Sequence, residues 1–345
     1  MSNKIVMIGC GGAGSNMSNV ISSGINKLGD GLCPVVDMYI DATSTTIENM
    51  NIDISKLHIV ETMNLSGKSI DGSGGMRASN ATDIIESVKK FMDKNKIHEH
   101  KLGDFYVVSF AASSGSGSVI GPMVIKNLLS KNIPVLAVVA GDSRNMLAAT
   151  NTMDTLATLD KIAKSSDKPL SMLYLNNDDY EGDMTQAEQT VNDHFFNTVA
   201  SLSLFLSGKN KDIDTQDMVN LLDMSNFRPK LKIPSGIYGV VSYGGPLHDN
   251  NIKPIVARTL TDGGSVGSVP SNMLHHKHGV INSDNAISIF KDSLPLHICS
   301  YPNIASNEIA VLQKVIADYK AQNENIKTTD IYVDENSTEL DDLVL

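Results

Sequence analysis

The chain has 345 residues, 41% of them hydrophobic and 19% charged, enough for two domains with proper cores. A net charge of −11 and a pI near 5.2 exclude nucleic acid as a main direct partner, because neutralising phosphates needs clustered Lys and Arg. Cys10, Cys33 and Cys299 lack disulfide or metal spacing; with no secretory leader and no apolar run long enough to span a bilayer, a cytoplasmic protein with no membrane partner and no protein-held metal is expected.

Lys4 to Ile8 is an apolar strand running into Gly9-Cys-Gly-Gly-Ala-Gly-Ser-Asn16. A helix follows, with apolar spacing at Met17, Val20, Ile21, Ile25 and Leu28. Val35 to Ile40 reads as a strand ending at Asp41, and Leu57 to Val60 as a short apolar piece. Ser66 to Ser79 is a Gly- and Ser-rich loop; Gly67-Lys-Ser69 lacks the earlier glycine of a Walker loop. Ala81 to Ile97 is an amphipathic helix. Phe105 to Phe110 is a continuous apolar run, so it reads as a buried central strand. It breaks into Ser113-Ser-Gly-Ser-Gly-Ser118 and resumes as a helix. Pro134 to Ala140 and Leu170 to Leu175 are further strands around a helix at Asn145 to Lys164. Strands alternating with helices at this spacing predict an α/β class with a parallel sheet covered on both faces.

Thr185 to Leu206 reads as one long helix stopped near Gly208, and Asp214 begins a shorter one. Beyond Phe227, Ile237 to Tyr243, Ile255 to Thr259, Ala286 to Phe290 and Leu296 to Ser300 read as strands of a smaller α+β unit. Ser306 to Ala321 is a helix, and the acidic end from Asp334 to Leu345 reads as a flexible tail. His275-His-Lys-His278 reads as a solvated loop rather than a metal cluster. His98 and His100 read as helix-end residues, and Cys10 as a small loop residue rather than a nucleophile.

Gly9-x-Gly11-x-x-Gly14 fits the dinucleotide fingerprint, with Asp41 at the end of the second strand. That alone would fit a nicotinamide-dependent oxidoreductase. A second loop of tiny residues at a helix N-terminus, Ser113 to Ser118, is not part of that pattern. Free N–H groups and the positive end of a helix dipole make each loop an anion site. Two of them facing one crevice suit a nucleotide with several phosphates.

The order of these motifs resembles the tubulin/FtsZ superfamily from residue 4 to about 224. GCGGAGSN at 9–16 looks like the first nucleotide loop of FtsZ, and Ser113 to Ser118 resembles the tubulin GGGTGSG signature. Leu175-Asn-Asn-Asp178 resembles the sugar and base loop, Asn192 stands at a guanine-reading position, and Asp212 to Asp217 resembles the catalytic loop. SGSVIGP at 116–122, VNDHFF at 191–196 and the linkerless acidic tail are most similar to phage tubulins of the PhuZ type. Ser113, Ser114 and Val119 replace glycines of the signature, and Asp212 stands where FtsZ has Asn.

The resemblance implies a Rossmann-like GTPase domain (1–184), a core helix (185–208), a C-terminal domain (209–326) and an acidic tail (327–345). GTP or GDP with Mg2+ would be held by Gly11, Gly12, Ala13, Gly14, Asn16, Asp41, Gly74, Gly75, Ser113, Ser114, Gly115, Ser116, Gly117, Ser118, Asn176 and Asn192. Asp217, helped by Asp214, would be catalytic. The implied partner is the chain itself in a head-to-tail homopolymer, with each acid loop reaching the next subunit's nucleotide and hydrolysis activated by assembly. A phage-encoded filament positioning or segregating phage structures in a host cytoplasm is the implied role. A nucleotide-locked structural protein without turnover is the third reading. The tail is expected to dock on a neighbouring subunit.

Overall fold

The computed structural model describes residues 3–45, 50, 52–63, 69–70, 81–101, 103–227, 233–247, 253–270, 273–302 and 304–327. The expectations for Gly74, Gly75, most of the 66–79 loop and the tail from 328 lie outside the described residues.

The first half alternates strand and helix as its periodicities require. β1 (Lys4–Cys10) leads to α1 (Gly11–Leu28), then β2 (Val35–Asp41) and β3 (Leu57–Ile59). A two-stranded pair follows, β4 (Thr62–Met63) with β5 (Ser69–Ile70), and then α2 (Ala81–Lys94). β6 (Asp104–Ala111), α3 (Gly117–Ser130), β7 (Val135–Gly141), α4 (Met146–Ser165) and β8 (Pro169–Asn176) complete the parallel unit. α5 (Met184–Leu206) is the long helix, closed at its start by a capping box of Asp183 and Gln186. α6 (Thr215–Leu222) follows. β9 (Gly236–Gly244), β10 (Val256–Thr261), β11 (His275–Val280), α7 (Asp284–Phe290), β12 (Leu296–Pro302) and α8 (Ala305–Lys327) end the described chain.

Among the described residues, ten strands form one sheet in the order β11-β10-β12-β9-β8-β7-β6-β1-β2-β3. Pairing is parallel from β3 through to β9, antiparallel on both sides of β12, and parallel again between β10 and β11. The C-terminal strands therefore extend the first half's sheet through the β8–β9 pair. Side chains alternate faces with a period of two. Ile5, Met7, Phe105, Val107, Leu136 and Val138 pack with Met17, Ile21 and Ile25 of α1 and with Val191, Phe195 and Val199 of α5. Val6, Ile8, Tyr106, Val108, Val135 and Val139 face the other core, with α2, α3, α4 and α8.

α5 changes character along its length. In its first turns only Ala187 and Val191 are buried, but every residue from Thr198 to Leu206 is buried. A helix enclosed on all sides needs apolar or hydrogen-bonded residues all round. Leu202, Leu204, Phe205 and Leu206 supply the first, and Ser203 donates to the Cys33 carbonyl at 2.7 Å.

Two elements differ from the sequence reading. Ala286 to Phe290, expected as a strand, lies in helix α7, capped by Ser283, whose hydroxyl accepts from the Ala286 N–H. The buried pair Ala286 and Phe290 is four residues apart, the spacing of one helix face. His275 to His278, expected as a solvated loop, is strand β11 at the sheet edge, with His275 registered on Val256 and Lys277 on Arg258.

A Cβ added at Gly14 would stand 2.2 Å from the Ser109 carbonyl oxygen. Gly14→Ala should therefore push α1 off β6 and lower unfolding stability by about 1–3 kcal/mol, the usual cost of overpacking. Urea unfolding checks this; an unchanged midpoint would mean that the two elements are not in contact.

Candidate functional site

β1 and β6 are parallel neighbours, with Ile5 opposite Phe105. The chain leaving β1 enters α1 on one face of the sheet, and the chain leaving β6 enters α3 on the other. Their loops diverge, and a crevice opens at the carboxyl ends of the strands, where open α/β sheets bind ligands. Neither helix closes its own N-terminus. Cys10 and Ser116 occupy the cap positions without a side-chain cap bond, and neither first turn contains an acid. Both positive helix ends and their N–H groups are left to an anion.

The two loops touch backbone to backbone. Gly11 has φ +72°, and a Cβ there would lie 2.8 Å from the Gly117 N and Cα. A Cβ on Gly117 would lie 2.9 Å from the Cys10 carbonyl oxygen. Glycine is required at Gly11 by conformation and at both positions by space.

The serines secure this arrangement by bonding back to the scaffold. Ser109 donates to the Gly14 carbonyl at 2.8 Å, and its hydroxyl lies 2.8 Å from that of Ser18. Ser114 donates to the Ala111 carbonyl at 3.0 Å, and Ser118 to that of Gly115 at 3.3 Å. From α4, Asn151 donates to the Ser113 carbonyl at 3.1 Å and Thr155 to that of Ala112 at 3.0 Å. Ser116 donates to Asp41 Oδ1 at 3.2 Å, and the same oxygen accepts the Ala42 N–H at 2.7 Å. Asp41 is fully buried. It sits beneath the second loop as a tie rather than in the open crevice where a ribose-binding acid would stand.

The cleft has a volume of about 370 Å³, within the range of small-molecule sites. Its lining brings together six of the sequence-predicted residues: Gly12, Ala13 and Asn16 from α1, Ser113 and Ser114 from the second loop, and Asn192 from α5. Gly11, Gly14 and Gly115 to Ser118 shape the loops around it. Asn176 is buried and its Oδ1 accepts the Asp178 N–H at 3.3 Å, while its neighbour Asn177 lines the cleft. Glu188 and Asp142 were not singled out from sequence, and Asn177 was read only as part of the 175–178 loop. Glu188 was within reach of sequence reasoning, since it stands four residues before Asn192 and so shares its helix face. The lining therefore joins loop N–H groups and small residues to the amides of Asn16, Asn177 and Asn192 and the carboxylates of Asp142 and Glu188.

Asp214 and Asp217 lie elsewhere. They form the capping box of α6: Asp214 Oδ1 accepts the Asp217 N–H at 2.9 Å, and Asp217 Oδ2 accepts the Asp214 N–H at 3.0 Å. Lys277 donates to Asp217 Oδ2 at 2.6 Å. The fully buried Arg258 donates to the Asp217 carbonyl from Nε at 3.1 Å and from Nη2 at 2.8 Å. Burial pushes the Asp217 carboxyl up, but the Lys277 and Asp214 hydrogen bonds and the Lys277 and Arg258 charges outweigh it and hold the group below its ordinary range. Burial lowers Arg258 to about 10, against the pull of Asp217 and Asp214. From Asn192 to the end of α5 at Leu206 the helix advances ~21 Å. Within the chain the acids and the cleft are at opposite ends of that helix.

No protein-family model matches the chain. It is 26% identical over 153 residues to a phage tubulin-like protein of Pseudomonas phage 201phi2-1, covering 44% of this chain and 45% of that protein. The chain thus matches less than half the length of that curated relative. Among solved structures it is similar to a protofilament of TubZ from Bacteriophage PhiKZ, with TM-score 0.71 and 18% identity over 100% of this chain and 98% of the other. It is also similar to the phage tubulin PhuZ with GDP, with TM-score 0.73 and 17% identity over 99% and 100% of the two chains.

The cysteines yield a direct check. Burial, then the Asp41 charge, raises the Cys10 thiol well above its ordinary value, and burial raises Cys33 and Cys299 to about 12. All three are free and buried, so they should be inert as thiols. A chromogenic disulfide reagent should titrate none in the native protein and all of them in denaturant. Rapid native labelling of Cys10 would revive it as a nucleophile.

Proposed function

We propose, from a fold shared with tubulin/FtsZ-type structures, that the chain is a GTP-binding protein of the phage-tubulin kind that assembles head to tail and hydrolyses GTP between subunits. The observation that carries the reading is the pair of uncapped helix N-termini meeting at the β1–β6 switch point, across a cleft from Asn192 and Glu188. Backbone N–H groups of the two loops would bind the phosphates. Asn16, Asn177 and Asn192 would meet base and ribose. The Glu188 carboxylate can accept hydrogen bonds from the guanine N1–H and amino group, whereas adenine presents an acceptor at N1. An accompanying Mg2+ would be carried mainly by phosphate oxygens and water. Residues 209–326 would form the half that presents the acid loop, in a filament serving phage structures.

The cleft supplies positioning and electrostatic stabilisation, which dominate phosphoryl transfer. An acid to orient the attacking water comes from Asp217, with Asp214 fixing it through their reciprocal cap. At opposite ends of α5, site and acid meet only between subunits, and such a heterologous contact propagates as a filament. The nicotinamide reading loses its ribose acid, because Asp41 is wholly buried and bonded to Ser116 and Ala42.

Two outcomes test the proposal. Glu188→Ala should weaken GTP binding by about 1–3 kcal/mol, the cost of an unpaired polar partner, and should leave ATP binding, already weak, unchanged in a calorimetric titration. Equal wild-type affinity for the two nucleotides would remove the guanine assignment. Asp217→Ala should bind GTP and assemble, by light scattering, yet release phosphate slowly and leave stable polymers. Wild-type phosphate release from that variant would remove the shared site.

A further inference from the structure

β10 and β11 converge on one residue of α6. Their parallel register sets Lys277 opposite Arg258, and paired residues of adjacent strands point to the same face. Both side chains reach Asp217, Lys277 at the carboxylate and Arg258 at the carbonyl. Arg258 is itself fixed, since its Nη1 donates to the Ala257 carbonyl at 2.8 Å and lies 3.0 Å from His275 Nδ1. A buried guanidinium is costly to desolvate, and here two of its three nitrogens go to the one carbonyl of Asp217. The segment after α5 is tied to the same strand: Lys211 donates its N–H to the Val280 carbonyl at 3.3 Å, and Asn282 donates its N–H to that of Lys209 at 2.9 Å.

We propose that Lys277, with Arg258 behind it, is a positioning residue that holds the Asp217 carboxylate in place and aimed for the shared-site hydrolysis. This rests on the GTPase reading above. Among the described residues both hydrogen bonds to the carboxylate, from Lys277 and from the Asp214 N–H, go to Oδ2. Oδ1 would be the oxygen that meets the attacking water. The geometry fixes the group from side chain and main chain at once, as precise placement of a catalytic carboxylate requires. The pair also offsets charge. Asp214 and Asp217 would otherwise bring two negative charges toward a triphosphate, and Lys277 arrives with them.

The groups facing Asp217 are Asp214 at its own helix cap, Arg258 from β10, and Lys277 and His275 from β11. His297 of β12 is turned to Thr259 and the Gly245 carbonyl, and the last turn of α5 has no titratable residue. Without Lys277 burial still raises the carboxyl, and only Arg258 and the Asp214 N–H oppose it. The group would then take up its proton at higher pH.

The test uses the full chain with GTP, and compares wild type, Lys277→Met, Lys277→Arg and Asp217→Ala. Phosphate release is measured per pelleted subunit from about pH 5 to 8. Lys277→Met should assemble at the wild-type threshold and turn over slower by on the order of ten- to hundredfold. Its acid limb should move to higher pH, and Lys277→Arg should restore much of both. A Lys277→Met protein with wild-type rate and pH profile, beside a slow Asp217→Ala, would overturn the positioning role and leave the shared site standing. Loss of assembly in Lys277→Met would overturn it too, since the lysine would then serve the fold or the interface. Wild-type turnover in Asp217→Ala would instead remove the shared site itself.

Discussion

The structure depends on the absence of side chains where two strand-to-helix loops touch. Gly11 and Gly117 meet with no room for a Cβ, and Gly14 lies against the Ser109 carbonyl. Any larger residue would separate α1 from β6 or the first loop from the second. That contact lets two helices on opposite faces of the sheet begin at one point, and it sums two positive helix ends on one crevice. The nearby serines are consistent with it. Each is small enough to pass, and Ser109, Ser114, Ser116 and Ser118 use their hydroxyls on the scaffold. The loop N–H groups then remain for a ligand.

α5 links that crevice to the rest of the chain. Its first half is one-sided and offers Glu188 and Asn192 to the cleft, while its second half is enclosed within one core that includes residues of the C-terminal strands. A rigid helix of 23 residues, ~34 Å long, fixes the separation between cleft and acid loop. The far strands then hold the acid loop through Arg258 and Lys277. One sheet of ten strands among the described residues connects both ends. In the proposed mechanism this separation keeps a lone subunit from hydrolysing its own nucleotide.

Much of the fold was legible because it is written in local patterns. Phe105 to Phe110, short, apolar, β-branched and aromatic, read as a buried strand, and the glycines at 11 and 14 and the serine loop at 113–118 marked both helix starts. α7 was misread because five residues, Ala286 to Phe290, fit either period, and its signal was the preceding Ser283 cap. β11 was misread because three histidines and a lysine look solvated, and only pairing with β10 some twenty residues earlier makes them a strand. The cleft was legible as loops plus Asn192, but the choice between Asn176 and Asn177 is set by which side chain turns toward Asp178. Arg258 and Lys277 were not legible at all. Nothing local ties a strand cation to an acid 41 or 60 residues earlier.

The central claim is that cleft and acid belong to different subunits when they act together. Phosphate release per subunit, measured as a function of protein concentration with GTP in excess, tests it most directly. The account predicts almost no release below the assembly threshold and a steep rise through it, tracking polymer mass. A constant rate per subunit across the threshold would contradict it, because a single chain would then contain the whole site.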